Sequence, residues 1–163
     1  MNAPFPSPEP QAPAPLAGGA ILTHRGVVYP WQCDHVGHMN VMWYTGKFDE
    51  ANWSMIAALG VTPAFLRESG RGMAAVEQTI TYKRELFAGD LIEVTSRVLE
   101  MRKKAVRFRH EMRDAITGEL AATSEITAVH LDKAAHKACA FPAELKARGE
   151  AMASQSQAVI LEG

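Results

Sequence analysis

From residue 41 onward, the apolar side chains Tyr44, Phe48, Ala51, Met55 and Leu59 recur at steps of three and four, with Trp43, Ile56 and Ala58 on adjoining positions. This matches the turn of an α-helix and predicts a helix over 41–59 with a wide buried face. Gly60 follows as a C-terminal cap. Thr62-Pro63, a hydroxyl before a first-turn proline, predicts a short second helix reaching 68 and ended by a turn at 70–72. Beyond it the period falls to two. Val106, Phe108, His110 and Met112 alternate with Arg107, Arg109, Glu111 and Arg113, so 105–113 is a strand with one dry face. Strands are also expected over 75–86, 90–101 and 119–131, and a first one within 21–29, ended by Pro30. The connections at 87–89 and 116–118 are short, so the four later strands read as an antiparallel meander.

These lengths define an α+β class. A helix of this size is about 27 Å long, strands of 11 residues span about 36 Å, and the sheet can wrap the long central helix. Leu91, Val98, Leu99 and Val106 suggest apolar positions on both sheet faces, of which one helix covers only one. Dimerisation, with exposed strand edges paired between subunits, would resolve that.

With 163 residues and 47% hydrophobic content, the chain suits one domain, expected over 21–150. Residues 1–20 hold most of the nine prolines and little that is bulky, so they are expected to form a disordered tail. Residues after 131 read as a closing turn and a short frayed helix, with 151–163 a mobile C-terminal tail. The net charge of -1 supplies no global attraction to nucleic acid or an anionic membrane, so an anion site must be local. No apolar run is long enough to span a bilayer, and the first residues lack the pattern of a signal peptide. Cys33 and Cys139 lack a C-x-x-C spacing, which disfavours a disulfide framework or thiolate zinc site and fits a reducing cytoplasm.

The chemistry concentrates in the loop Trp31-Gln32-Cys33-Asp34-His35-Val36-Gly37-His38-Met39-Asn40, between the first strand and the long helix. The helix start presents unpaired backbone N–H groups that favour developing negative charge. Asp34 is either a reactive carboxylate or a cap for the following helix. A metal site at Asp34, His35 and His38 is disfavoured, because the histidine pair straddles a glycine and lacks a third imidazole nearby. His110 and His130 read as core or interface histidines. Of the three tryptophans, only Trp31 or Trp43 is expected near a ligand.

The strand, this loop, the long helix and the four antiparallel strands together resemble the hotdog-fold acyl-CoA thioesterases of the 4-hydroxybenzoyl-CoA thioesterase type, over 23–141. Their loop reads D-x-D-x-x-G, often continued H-V-N. The resemblance implies that Asp34 is nucleophile or general base, that Gly37 gives the tight turn and that the Val41 backbone N–H polarises the thioester carbonyl. His38 and Asn40 would brace the loop and the carboxylate. The first motif aspartate is replaced by Gln32, an amide that can support the loop but not share a proton with Asp34. Arg102, Lys103 and Lys104 fall where relatives hold the coenzyme A phosphates, and three consecutive cations at a hairpin tip make a local phosphate site on charge alone. A solvated hairpin tip is the plainer reading.

The resemblance implies hydrolysis of an acyl-CoA to free acid and coenzyme A, with no metal or bound cofactor, in a homodimer or homotetramer with sites between subunits. The 73–77 segment would form an opposing wall from the second subunit. The alternative is a non-catalytic acyl-CoA-binding sensor or scaffold. A lyase or dehydratase is disfavoured, since Asp34 and His38 lack the hydratase spacing D-x-x-x-x-H.

Overall fold

The structure, a computed structural model, describes residues 16–160. The expected tail over 1–20 lies mostly outside them, but its last residues form a 3-10 turn at Ala17–Gly19, and Ala20 is buried. Six strands, β1 (Ile21–Val27), β2 (Arg71–Tyr82), β3 (Leu91–Met101), β4 (Ala105–Asp114), β5 (Leu120–Asp132) and β6 (Lys137–Ala138), form one antiparallel sheet. Three helices accompany it: α1 (Val41–Leu59), α2 (Pro63–Glu68) and α3 (Ala143–Ile160).

Both predicted helices form where the periodicity placed them. Asn40 caps α1, with its side chain accepting from Met42 N, and Gly60 closes it at φ 110°. Thr62 caps α2 by accepting from Phe65 N. Phe48, Ala51, Met55, Ile56 and Leu59 of α1 are buried against Val94, Val98, Phe108 and Met112 of the sheet.

The strand order β1-β3-β4-β5-β2 corrects the meander. Only β3, β4 and β5 follow one another in space; β2 pairs with β5, from Arg71↔Asp132 to Tyr82↔Ala122. β2 begins and ends earlier than the expected 75–86, and residues 83–90 cross the end of the sheet. They are held by Lys83 N and Arg84 N donating to Ala121 O, at 2.8 and 3.1 Å, and by Gly89 N donating to Val28 O at 2.8 Å. The hydrogen-bonding groups of this crossing segment decide the order, and they are spread over three distant parts of the chain.

The alternation on β3 and β4 places Ile92, Val94, Val98, Val106, Phe108 and Met112 inward. An irregularity between Val98 and Glu100 shifts the register past Leu99. On the outward face Leu91 is exposed, but Glu93, Thr95 and Arg97 follow it, so β3 presents no continuous second apolar face. The outer face carries a ladder in which Glu111 meets Arg97, Arg109 and Arg113, and Glu125 meets Arg107 and Arg109.

α3 corrects the expected frayed helix and tail. It continues through Ile160, with Leu145, Ala153 and Ser156 buried. Its side chains have mean hydropathy too low to announce a core helix, but Gly149 lets it approach Met101 and Leu59, where an added Cβ would stand 2.7 Å from Met101 Sδ. Residues 161–163 lie outside the described range.

The core also contains a polar chain. Thr23 Oγ1 donates to Val94 O at 3.0 Å, so the Ser96 hydroxyl donates to Thr23 at 2.6 Å and accepts from His110 Nδ1 at 2.6 Å. That fixes the His110 tautomer and leaves Nε2 buried with no partner among the described residues. His130 is likewise buried, with Nδ1 on Ala140 O at 3.0 Å and its ring stacked on Phe141. The strand histidines are thus core residues, each satisfied at one nitrogen.

Candidate active site

After β1 the chain makes a 3-10 turn at Pro30–Gln32. Gln32 is 7% exposed; its amide oxygen accepts from Tyr29 N at 3.0 Å and its carbonyl from Asn40 N at 2.9 Å. It closes the base of the loop and makes no bond to Asp34. Met39 N donates to Leu86 O at 2.7 Å, which fastens the loop to the crossing segment. Gly37 sits at φ 102° with open space where a Cβ would stand, so backbone conformation alone calls for glycine there.

Asp34 is held from both sides. Its Oδ1 accepts from Val36 N at 2.9 Å and its Oδ2 from the Asn40 amide at 3.0 Å. The Val36 N–H first, then the Asn40 amide, and less strongly His38 and His35, hold its pKa below the usual 3.8 against the opposing effect of desolvation. The other end of the Asn40 side chain accepts from Met42 N at 3.0 Å. The helix cap expected as one role for Asp34 therefore belongs to Asn40, and the carboxylate is free of that duty.

Val41 follows immediately, exposed, and its N–H has no acceptor among the described residues. His38 does not hydrogen-bond Asp34; its Nε2 lies 3.6 Å from Glu85 Oε1 and its Nδ1 3.5 Å from Met39 O. His35 is exposed. Trp31, 67% exposed, stacks on Tyr29 with centroids 4.3 Å apart, whereas Trp43 is half-buried against the core and Trp53 lies exposed farther along α1.

The three cations lie elsewhere. Arg102, Lys103 and Lys104 form the β3–β4 hairpin, at the Met101 end of β3, while the Asp34 loop adjoins the Leu91 end through Val28, Leu86 and Asp90. The eleven residues of β3 separate them by about 36 Å. Arg102 is also bound to Glu100 through Nε and Nη2, both at 2.7 Å. Lys103 and Lys104 are exposed, and their carbonyls accept from Phe141 N at 3.0 Å and His130 N at 2.9 Å, which fixes the hairpin.

The sequence reading missed a cleft of about 350 Å³ beside the helix start, walled by Met39, Val41, Tyr44, Tyr82 and Glu85. Tyr44 lies one turn into α1 and was legible from its helical position. Tyr82 and Glu85 were hidden inside the overextended strand 75–86.

A sheet curled over one long helix is the arrangement of the hotdog fold, and here the helix start lies beside a positioned carboxylate and carries an unpaired amide. The chain belongs to the thioesterase-like superfamily, whose family model matches residues 28–149. It is 30% identical over 115 residues to an L-carnitine dehydrogenase/betainyl-CoA thioesterase of Rhizobium meliloti (strain 1021), a match covering 71% of this chain and 23% of that protein. The chain thus spans about a quarter of that relative's length. It is 24% identical over 139 residues to a betainyl-CoA thioesterase of Pseudomonas aeruginosa, covering 85% of this chain and 87% of that one. In fold it is similar to a Staphylococcus aureus protein solved in complex with CoA, with a TM-score of 0.76 and 21% identity over 82% of this chain and 85% of that one.

Proposed function

We propose that this chain hydrolyses an acyl-CoA to the free acid and coenzyme A, with Asp34 carrying the chemistry. The observation behind this reading is the carboxylate held by Val36 N–H and the Asn40 amide, close in sequence to the unpaired Val41 N–H at the helix start. A carboxylate so held stays ionised near neutral pH. It either attacks the thioester carbonyl, forming a mixed anhydride that water then opens, or removes a proton from an attacking water. On either route charge develops on the carbonyl oxygen, where the Val41 N–H and the helix start stabilise it. The C–S bond breaks and the departing thiolate takes a proton. This chemistry needs no metal or cofactor.

Asp34 and the Arg102–Lys104 hairpin lie at opposite ends of one sheet, so we assign the coenzyme A phosphates to the hairpin of a second protomer. The exposed outer edge of β2, which is paired on one side only with β5, supports a homodimer joined along that edge, with tetramers as a further association. The free Cys33 and Cys139 support a reducing, cytoplasmic setting, and no helix among the described residues is long and apolar enough to cross a membrane. The relatives' names make betainyl-CoA the first substrate to try.

The test is thiol release from aryl, short, medium and long acyl-CoAs and betainyl-CoA, with chelator present, for wild type and Asp34→Asn. Turnover that disappears in the variant while coenzyme A still binds supports the assignment. Activity that survives the substitution removes Asp34 from the reaction, and binding without turnover across the panel leaves an acyl-CoA-binding protein.

A further inference from the structure

We propose that His38 is the general acid of this site: its Nε2 hands a proton to the coenzyme A sulfur as the C–S bond breaks, and Glu85 serves it from behind. This rests on the hydrolase reading above, which leaves the source of that proton open. The structure frees His38 from the bracing duty expected of it, since Val36 N–H and the Asn40 amide hold Asp34 without it. The main chain still ties the two residues together, with Asp34 N donating to His38 O at 3.1 Å. The half-buried imidazole therefore stays with the carboxylate, and it lines the same cleft as Val41.

The two ends of the ring have different neighbours. Nδ1 stands 3.5 Å from Met39 O, a carbonyl that only accepts, so the Nδ1 proton stays there and Nε2 is the end that gains and loses one. Nε2 lies 3.6 Å from Glu85 Oε1, longer than a hydrogen bond, so it is not committed to that carboxylate. Catalytic contacts of this kind shorten once substrate is bound. The bond from Met39 N to Leu86 O keeps Glu85 beside the Asp34 loop, and its exposed carboxylate connects the ring to solvent. In the step itself the electron pair of the C–S bond goes to sulfur and the Nε2 proton of the imidazolium follows it, giving the free thiol. The neutral ring then regains a proton from water by way of Glu85. The water that completes the carboxylic acid releases its spare proton to Asp34 or to solvent, so one water is consumed for each thioester opened.

Two cationic side chains also line the cleft. Arg84 is held by Asp114 at 3.2 Å and Glu119 at 3.1 Å, and a guanidinium does not give up its protons. Lys83 is exposed and in no ion pair among the described residues, so it is the rival donor. His35, the other imidazole of the loop, is exposed and is not among the cleft walls.

The experiment varies the leaving group. The acyl group turned over fastest in the panel above is offered as its coenzyme A thioester and as its thioester of 5-thio-2-nitrobenzoic acid, an acidic aryl thiol that departs without a proton. His38→Gln should lower kcat/KM for the coenzyme A thioester by about a hundredfold, and for the aryl thioester by about tenfold less than that. A residue that merely braced the loop would lower both alike. Glu85→Gln, at an exposed carboxylate, should show the same selective loss in weaker form and keeps the test open if His38→Gln does not fold. Equal losses on the two leaving groups, no loss on either, or a selective loss in Lys83→Gln instead overturns the assignment of His38 while leaving the hydrolase reading intact. Silence of the wild type on every acyl-CoA overturns the hydrolase reading itself, and this inference with it.

Discussion

Asn40 holds two structures together, since one end of its amide caps α1 at Met42 N and the other orients Asp34. The two duties separate by substitution. Asn40→Asp keeps a good capping oxygen but sets a second negative charge against Asp34, which raises the Asp34 pKa, so the acid limb of the pH profile of kcat/KM should move upward. Asn40→Ala should lose both, costing about 1 kcal/mol of stability as well as activity; pH–rate profiles and thermal melts read the two effects apart. His110 makes a different residue-scale prediction. Burial lowers its pKa from 6.5 to about 4, so the unfolded chain binds a proton across that window and the folded chain does not. Stability should be full above pH 6.5 and fall as pH drops toward 4, by on the order of 3 kcal/mol. Urea unfolding at stepped pH should show this slope in wild type and a shallower one in His110→Gln. The Asp34 carboxyl, held below the usual 3.8 by the Val36 N–H and the Asn40 amide, titrates below the His110 window.

Among elements, the junctions carry the strain. Gly60 ends α1 at φ 110°, and a Cβ there would stand 2.5 Å from Leu145 Cδ2 of α3. Gly60→Ala should therefore lower the unfolding free energy by roughly 1–3 kcal/mol, measured by chemical denaturation, and loosen the α1–α3 contact. The helices α1 and α2 were legible because each carries its own instructions: a 3.6-residue apolar period, a capping side chain and a stop. β4 was legible for the same reason, its inward Val106, Phe108 and Met112 alternating with charge. The bounds of β2 were not, since residues 83–86 look no less strand-like than their neighbours and leave the ladder only because Ala121 O draws Lys83 N and Arg84 N aside. α3 was under-read because its burial depends on Met101, Leu59 and residues 17–19, all remote in sequence.

For the whole molecule, the separation of Asp34 from the Lys103-Lys104 hairpin makes a sharp prediction. Asp34→Asn and a Lys103→Glu/Lys104→Glu double variant should each be inactive or strongly impaired at low acyl-CoA concentration. Mixed and allowed to exchange subunits, they should recover activity, because one site of each mixed dimer is then intact. Random exchange gives about a quarter of the wild-type rate. Assay of the mixture beside sizing of each variant checks this, and absence of recovery among exchanged dimers would place both groups of residues in separate tasks.

The local sequence determined the lengths of α1 and α2, the caps at Thr62 and Gly60, the inward face of β4 and the concentration of polar and ionisable groups over 31–40. Those features depend on steric preference and periodicity within a few residues. It also marked Asp34, yet left open whether the carboxylate was reactive or merely a cap. Only the tertiary structure gave the cap to Asn40, turned Gln32 toward Tyr29, set β2 beside β5 and brought Tyr82 and Glu85 to the start of α1. Each of these is decided by competition among hydrogen-bonding groups and packing surfaces far apart in the chain, which meet only when the sheet closes over α1.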